Sequence, residues 1–365
     1  MKKLLALLLV CAMIFGLAAC AGTPATTVTT DTTDTTDTTT TTDTTDTTDT
    51  TDDTDTTDDT ADTTDDTDDT TSGELIKVGI INNDPNESGY RTANDADLKR
   101  VFCEDNGYDA SFFYSLKNDE QIAAAQKFVQ DEVDYLLLSA AGTSGWDSVL
   151  MDAQAAGIQV ILFDRTIEAD ESLYVSSVVS DVPLQGERAV QWLADQGLDE
   201  YNIIHIQGVM GSSAQVGRTG ALDEMVAAND NWHLVTQQTA EWNAETAQQI
   251  VQSVIDSGKE FNVIYAENDD MARGAVAALD KANISHGVDG DVIIMGFDCN
   301  KWALEELLAG NWNYDGQANP FQADAINEII QGLENGEQPD KVIYLDETGF
   351  DAATITQEDI DTYGI

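Results

Sequence analysis

The sequence predicts an α/β protein with two doubly wound, parallel-sheet lobes in tandem. From about residue 75 onward, short apolar runs alternate with stretches of helical pattern, which is typical of parallel sheets with helices on both faces. The alternation restarts after residue 181, and polar or aromatic side chains follow the strands of both halves. A chain of 365 residues is long enough for two domains with substantial cores. Two lobes in tandem imply a cleft between them, where ligand sites are common.

The first half supplies strands and helices in strict alternation. The run at 160–163 contains four consecutive apolar residues and therefore predicts a strand buried on both faces. We expect the other strands at 76–81, 108–114, 135–139 and 174–179, and helices at 88–104, 119–130 and 146–156.

The second half repeats the pattern. Pro183 suits the first turn of a helix over 183–195. Further helices are expected at 214–228, 244–255, 269–281 and 301–309, and strands at 202–207, 232–238, 262–266, 292–297 and 312–317. A late helix at 320–333 and a strand at 341–345 follow.

Side chains that can hydrogen-bond to hydroxyl groups gather at the strand ends. Asp164 offers two acceptor oxygens and Arg165 a fork of donors, directly after the buried strand. Ligands of open α/β sheets bind outside the carboxyl ends of the strands. Carboxylates, amides and arginines suit sugar hydroxyls, and aromatic rings suit their C–H faces. The candidate ligand-binding residues are Tyr90, Arg91, Asp164, Arg165, Arg218, Trp242, Asn268, Asp298 and Gln317.

These candidates also have structural interpretations. The acid–arginine pair could cap a sheet edge, the aromatic rings could belong to the core, and the arginines could be solvated helix charges. For Trp146, we favour packing at the start of a helix over stacking on a ligand. We expect Asp269 or Asp270 to cap the following helix while Asn268 faces the cleft.

Composition disfavours several classes of partner. The formal net charge is −52, from 68 acids and 16 bases, and such a field repels nucleic acid and anionic ligands. The three histidines are scattered and no Cys/His cluster has metal spacing, so no metal or other cofactor is expected. Cys103 and Cys299 are expected to be free, mostly buried thiols.

Residues 1–20 have the pattern of a secretory signal. Lys2 and Lys3 precede an apolar stretch that is too short to span a bilayer comfortably, and Leu17-Ala18-Ala19-Cys20 follows. The segment resembles a bacterial lipoprotein signal, in which the cysteine becomes the lipid-bearing N-terminus. Residues 21–73 are almost entirely Thr and Asp and have little to bury, which predicts a disordered tether.

Several short motifs, in their order and spacing, resemble type I periplasmic binding proteins, in particular the ribose- and galactofuranose-binding branch. The resemblance covers residues 76–344, although the galactofuranose pattern has a Trp where Tyr90 stands. The motifs are Glu87-Ser88-Gly89-Tyr90-Arg91, Thr143-Ser144-Gly145-Trp146, Phe163-Asp164-Arg165, Tyr265-Ala266-Glu267-Asn268-Asp269-Asp270-Met271 and Gly296-Phe297-Asp298.

The resemblance implies a lipid-anchored substrate-binding protein of an ABC importer. It would close its hinge on a monosaccharide, work with ABC permease transmembrane subunits, and sit as a monomer on the outer face of the bacterial cell membrane through Cys20. The resemblance places interlobe crossings near Asp181, Gln317 and Asp346. The lobes would then be 74–181 plus 318–346 and 182–317 plus 347–365. The candidate residues would carry the ligand contacts.

Two other functions use the same cleft. A sensory protein would present the sugar to a membrane kinase or chemoreceptor, and the sequence separates this poorly from transport. A glycosidase would use Asp164 and Asp298 as its carboxylates. We expect no enzyme, because Arg165 and Arg218 should hold both acids ionised and leave no proton donor.

Overall fold

The computed structural model describes residues 74–365. The expectations for the signal segment, Cys20 and the Thr/Asp-rich tether lie outside these residues. Within them, Cys103 and Cys299 are free, Cys299 buried and Cys103 partly exposed. None of the helices described is long and apolar enough to cross a membrane.

The first lobe is built on one six-stranded sheet. Its strands are β1 (Ile76–Asn82), β2 (Tyr108–Tyr114), β3 (Tyr135–Leu138), β4 (Gln159–Asp164), β5 (Ser176–Val179) and β11 (Val342–Tyr344). Their spatial order is β11-β5-β4-β3-β1-β2, and every neighbouring pair is parallel. The accompanying helices are α1 (Gly89–Val101), α2 (Asn118–Gln130), α3 (Asp147–Ala156) and α9 (Ala323–Glu334).

The second lobe has a matching sheet. Its strands are β6 (Tyr201–Gln207), β7 (Trp232–Thr239), β8 (Val263–Ala266), β9 (Ile293–Asp298), β10 (Tyr314–Gln317) and β12 (Gly349–Asp351). The order is β12-β10-β9-β8-β6-β7, parallel except for β12 against β10. Its helices are α4 (Val182–Asp195), α5 (Ser213–Ala228), α6 (Ala244–Ser257), α7 (Asp269–Ala282), α8 (Lys301–Leu308) and α10 (Gln357–Tyr363). The predicted α/β class with two doubly wound lobes is confirmed.

Both sheets are buried on their two faces, which explains the continuous apolar runs. In β4, Val160 and Leu162 pack into one core cluster, while Ile161 and Phe163 pack into the cluster on the opposite face. Alternate side chains of a strand point to opposite faces, so a strand covered on both sides needs an apolar residue at each position. The carboxyl end of β4 is thereby fixed in place, with Asp164 as its last residue.

The chain passes between the sheets three times, after β5, after β10 and after β11. Glu347 lies in the third crossing, and its carboxylate accepts hydrogen bonds from Ser180 Oγ at 2.6 Å and the Asn319 backbone N–H at 2.7 Å. It also accepts one from Gln185 Nε2 at 2.7 Å. Since Ser180 and Asn319 lie in the other two crossings, one buried side chain connects all three.

Element ends differ from the predictions where local geometry intervenes. The helix expected over 88–104 ends at Val101, because Phe102 leaves the helical conformation and a short 3-10 turn follows. The helix expected over 320–333 begins at Ala323, since the preceding residues belong to the second crossing. Strand β12 and helix α10 were not predicted.

Candidate ligand-binding site

A cavity lies between the two lobes, with lining residues from the strand ends of both. Its empty volume is about 440 Å³, counting space open to solvent. Eight of the nine predicted residues line it: Tyr90, Arg91, Asp164, Arg165, Arg218, Trp242, Asn268 and Asp298. The cavity also takes in Glu87, Ser88, Ser180, Val182, Ala214 and Ala318.

Asp164 is the hydrogen-bonding centre of the first-lobe wall. Its carboxylate accepts from Arg91 Nη1 at 2.5 Å, Ser139 Oγ at 2.5 Å and the Tyr90 hydroxyl at 2.9 Å. Burial opposes the charge on Asp164, but Arg91 and Arg165 outweigh it and lower the pKa of the carboxyl below its ordinary value. Asp164 is therefore held as a carboxylate.

Arg165 is almost fully buried in the same wall. It donates to Asn83 Oδ1 at 3.3 Å and to the Ala140 carbonyl at 3.4 Å, and its Nε lies 3.8 Å from an Asp164 oxygen. That Nε has no hydrogen-bond partner among the residues described. The Arg165 guanidinium is thus positioned by the protein while one of its donors stays unused.

Glu87 is a cavity residue that the sequence reasoning did not select. Its Oε2 accepts from Arg91 Nε at 3.2 Å and lies 3.9 Å from Arg165 Nη2. The next residue, Ser88, caps α1 by accepting the Arg91 backbone N–H at 3.3 Å. The cap places Glu87 at the cavity just before the helix. The Glu-Ser-Gly motif was the available signal.

Arg218 on α5 is fixed within the second-lobe wall. Its Nε and Nη2 donate to Gln185 Oε1 at 3.1 and 3.0 Å, and its Nη1 donates to the Glu267 carbonyl. The guanidinium stacks over the Phe297 ring at 4.5 Å and lies 3.7 Å from Asp298 Oδ1. These partners remove most of its conformational freedom.

The pKa of Asp298 differs from what we expected, namely that Arg218 would hold this carboxyl ionised. Burial raises the pKa of this carboxyl well above its ordinary value, and Arg218 only partly opposes the effect. The expectation is wrong for Asp298 because its desolvation is nearly complete while the arginine stands beyond hydrogen-bond distance.

Three non-glycine residues of the cavity have positive φ: Asp164 at 60°, Trp242 at 65° and Asp298 at 114°. Such conformations are unfavourable for L-residues and concentrate at functional sites. The Trp242 ring lies directly on Gly208, where a Cβ would stand 1.9 Å from a ring carbon. Its Nε1 has no hydrogen-bond partner within residues 74–365.

Asn268 has two roles. It lines the cavity, and its side chain accepts the Met271 backbone N–H at 2.9 Å, which makes Asn268 itself the N-cap of α7. The prediction that Asp269 or Asp270 would be the cap is therefore wrong. An amide oxygen meets the geometric need of a cap as well as a carboxylate does.

Asp269 is instead buried beside Asp315. Its Oδ2 accepts from the backbone and side-chain nitrogens of Asn300 at 2.8 and 3.0 Å, while Asp315 Oδ1 accepts the Cys299 backbone N–H at 3.4 Å. The other oxygen of each carboxyl has no partner among the residues described. Burial raises the pKa of both groups, that of Asp315 to about 8. The neighbouring Asp315 raises the pKa of Asp269 further.

Gln317 does not line the cavity, contrary to the prediction. Its Oε1 accepts the Thr348 backbone N–H at 3.2 Å, and its carbonyl accepts from Gln185 Nε2 at 3.0 Å. The side chain is used within the crossings, and the neighbouring Ala318 reaches the cavity. Trp146 packs in the core and donates to the Gly142 carbonyl at 2.9 Å, as the sequence favoured.

Two hydrogen bonds join the lobes directly. The Thr143 backbone N–H donates to the Gly211 carbonyl, and the Thr166 backbone N–H donates to Ser213 Oγ, both at 3.3 Å. Each bond joins a first-lobe loop to the second lobe. The structure therefore represents a closed arrangement of the lobes.

Comparisons with known proteins agree with this geometry. Residues 78–338 match the family model described as periplasmic binding protein domain. The fructose import binding protein FruE of Bifidobacterium longum is 32% identical over 285 residues, which cover 76% of this chain and 85% of that protein. The galactofuranose-binding protein YtfQ of Escherichia coli is 27% identical, over 70% of this chain and 82% of that protein.

A solved structure extends the likeness to the fold. The periplasmic binding protein component of the arabinose ABC transporter from Shewanella sp. ANA-3, bound to α- and β-L-arabinofuranose, superposes with a TM-score of 0.71. It is 25% identical and covers 78% of this chain and 93% of its own. The resemblance drawn from the sequence motifs is confirmed. The chain belongs to the periplasmic binding protein family and has its type I fold.

Proposed function

We propose that the protein is the extracytoplasmic substrate-binding component of an ABC importer and that it binds a neutral monosaccharide between its lobes. The observation that carries this proposal is the composition of the cavity wall. The first lobe contributes two carboxylates and two guanidiniums, the second lobe contributes one carboxyl and one guanidinium, and each lobe contributes an aromatic ring, Tyr90 or Trp242. The relatives are named for fructose, galactofuranose and arabinose, which supports a monosaccharide of this kind.

The match of charges in the first-lobe wall argues for a neutral ligand. In the first lobe, Glu87 and Asp164 accompany Arg91 and Arg165, and in the second lobe a carboxyl accompanies Arg218. Hydroxyl groups can donate to the carboxylates and accept from the guanidiniums at once. Binding at micromolar concentration needs about −8 kcal/mol. A few charge-assisted hydrogen bonds of about 1.5–3 kcal/mol each suffice after the costs of binding.

The mechanism we propose is hinge closure of two rigid bodies, residues 74–181 plus 318–346 and residues 182–317 plus 347–365. A sugar that bonds to both walls stabilises the closed arrangement, in which the contacts at Thr143 and Thr166 form. Transmembrane permease subunits would recognise that shape. The protein acts as a monomer in this scheme.

We also propose attachment to the outer face of the cell membrane through a lipid on Cys20. Its support is the sequence of the signal segment alone. Replacement of Cys20 by Ser should move the protein from the membrane fraction to the soluble extracytoplasmic fraction. Unchanged membrane association of the variant would contradict the anchor.

One observation favours a glycosidase as the second candidate. The pKa of Asp164 is lowered by its arginines despite burial, whereas burial raises that of Asp298. Such a split suits a carboxylate and a proton donor. The relatives are named as binding proteins, so we propose binding without turnover. Release of free sugar from aryl glycosides by the purified protein would reverse this choice.

A thermal-shift screen tests the proposed function. D-Fructose, D-galactose, D-ribose and L-arabinose would each be added to the purified protein, with nucleosides, amino acids and divalent metals as comparison. At a hundredfold excess over Kd, a ligand stabilises the native state by about 2.7 kcal/mol. We expect one monosaccharide to raise Tm and Arg218→Ala to abolish the rise. Stabilisation by the comparison compounds alone would rule out a sugar site.

A further inference from the structure

Glu87 stands between two arginines of the cavity wall. Its Oε2 accepts from Arg91 Nε at 3.2 Å and lies 3.9 Å from Arg165 Nη2, and all three side chains are at most 5% exposed. Its Oε1 is buried without a hydrogen-bond partner in the part of the chain described. Within the described residues, only one of the two carboxylate oxygens is therefore hydrogen-bonded.

The first-lobe wall has two guanidiniums and two carboxylates. Asp164 binds Arg91 Nη1 directly, so Glu87 is the second carboxylate that offsets the pair of arginines. An arginine fork is well matched to a carboxylate and often binds one through two hydrogen bonds. Without Glu87, two buried guanidiniums would face one carboxylate, and an acidic ligand could take the missing place.

We infer that Glu87 is a specificity-determining residue: its carboxylate binds Arg91 Nε and offsets the charge of the nearby Arg165, so that the cavity accepts neutral sugars and rejects sugar acids. This inference rests on the proposed function, because it concerns which sugars enter the same cavity. The free Oε1 additionally offers an acceptor to a ligand hydroxyl.

Replacement by glutamine isolates the charge. Glu87→Gln keeps the length and planarity of the side chain but removes the negative charge. Among residues 74–365, it leaves Arg165 with only Asp164 within 4 Å as an ionic partner. The binding preference should then move toward ligands that bring a carboxylate. Glu245→Gln is the matched control, since it removes the same charge from an exposed helix position.

The experiment measures Kd by calorimetry for the wild type, Glu87→Gln and Glu245→Gln at neutral pH. The neutral probes are D-galactose, D-fructose and methyl D-galacturonate, which is the methyl ester of the sugar acid. The acidic probes are D-galacturonate and D-fructuronate. We expect the wild type and Glu245→Gln to bind a neutral probe at least about tenfold more tightly than its acid, equivalent to about 1.4 kcal/mol. Glu87→Gln should lose or reverse that preference.

Each outcome decides one claim. A wild type that binds none of these neutral probes and no sugar of the thermal-shift screen contradicts the proposed function. A Glu87→Gln protein that keeps the full wild-type preference contradicts the role of Glu87. If circular dichroism shows that Glu87→Gln does not fold, the wild type alone tests the inference. Its affinity for methyl D-galacturonate is then compared with that for D-galacturonate, because the two ligands differ in charge. Equal binding of the ester and the free acid by the wild type would overturn the inference.

Discussion

Asp164→Asn is the substitution that most directly probes the cavity wall. Asparagine has nearly the same shape as aspartate and tolerates the positive φ of 60° at this position. The backbone at the end of β4 should therefore be preserved. Any loss then reports on the carboxylate.

The structure gives the size of the expected loss. The carboxylate receives three hydrogen bonds of 2.5–2.9 Å, from Arg91, Ser139 and Tyr90. Removing one partner of a buried ion pair costs about 3–5 kcal/mol. Arg91 keeps Glu87 as a second partner at 3.2 Å, so we expect the lower end, about 3 kcal/mol. A lost charge-assisted bond to a ligand hydroxyl should weaken sugar binding at least about tenfold.

Urea unfolding followed by circular dichroism measures the first quantity, and calorimetry with the stabilising sugar measures the second. Asp109→Asn, at an exposed position of β2, is the control and should change neither. Because the folded pKa of Asp164 is lowered, its stabilisation is present above the unfolded value near 3.8 and is lost as pH falls through the folded value. An Asp164→Asn protein with wild-type stability and affinity would refute the reasoning.

Two further substitutions test closure and the buried acid pair. Gly89→Ala should weaken sugar binding at least about tenfold without lowering the Tm of the ligand-free protein, because a Cβ there would lie 1.9 Å from Asn300 Oδ1 of the other lobe. Gly220→Ala is the control, since no atom lies within 4 Å of its Cβ position. Equal sugar affinities of Gly89→Ala and the wild type would contradict this explanation of closure. Asp315 has a folded pKa raised to about 8, above its ordinary 3.8, so its stabilising effect is lost as pH rises between these values. Asp315→Asn, which cannot titrate, should reduce the decline in unfolding free energy between about pH 5.5 and about pH 7.5 by up to about 1.4 kcal/mol per pH unit. A decline in urea-unfolding free energy as steep as that of the wild type would contradict the raised pKa of Asp315.

The strand–helix alternation could be predicted because each sheet is covered on both faces. That burial demands uninterrupted apolar runs such as 160–163, which are easy to recognise. Strand β12 and helix α10 could not be predicted in the same way. Gly349–Asp351 has three residues and only one buried side chain, and its pairing with β10 is set by the third crossing.

The site could be predicted to the extent that strand ends converge at one edge. Parallel strands bring Asp164 and Asp298 to the cavity although they are far apart in sequence. The errors come from tertiary hydrogen bonds, which local sequence does not encode. Gln317 is engaged by the Thr348 backbone, a contact between distant segments. Glu87 is a different case, because its motif and its local contact with Arg91 could have revealed it.

A crystal structure of the protein with the monosaccharide selected by the thermal-shift screen would test the central claim most directly. We expect one sugar in the cavity, with hydroxyl groups bonded to Asp164 or Arg165 from one lobe and to Arg218 or Asp298 from the other. A sugar bound to a single lobe, or at a place away from these four side chains, would contradict the account.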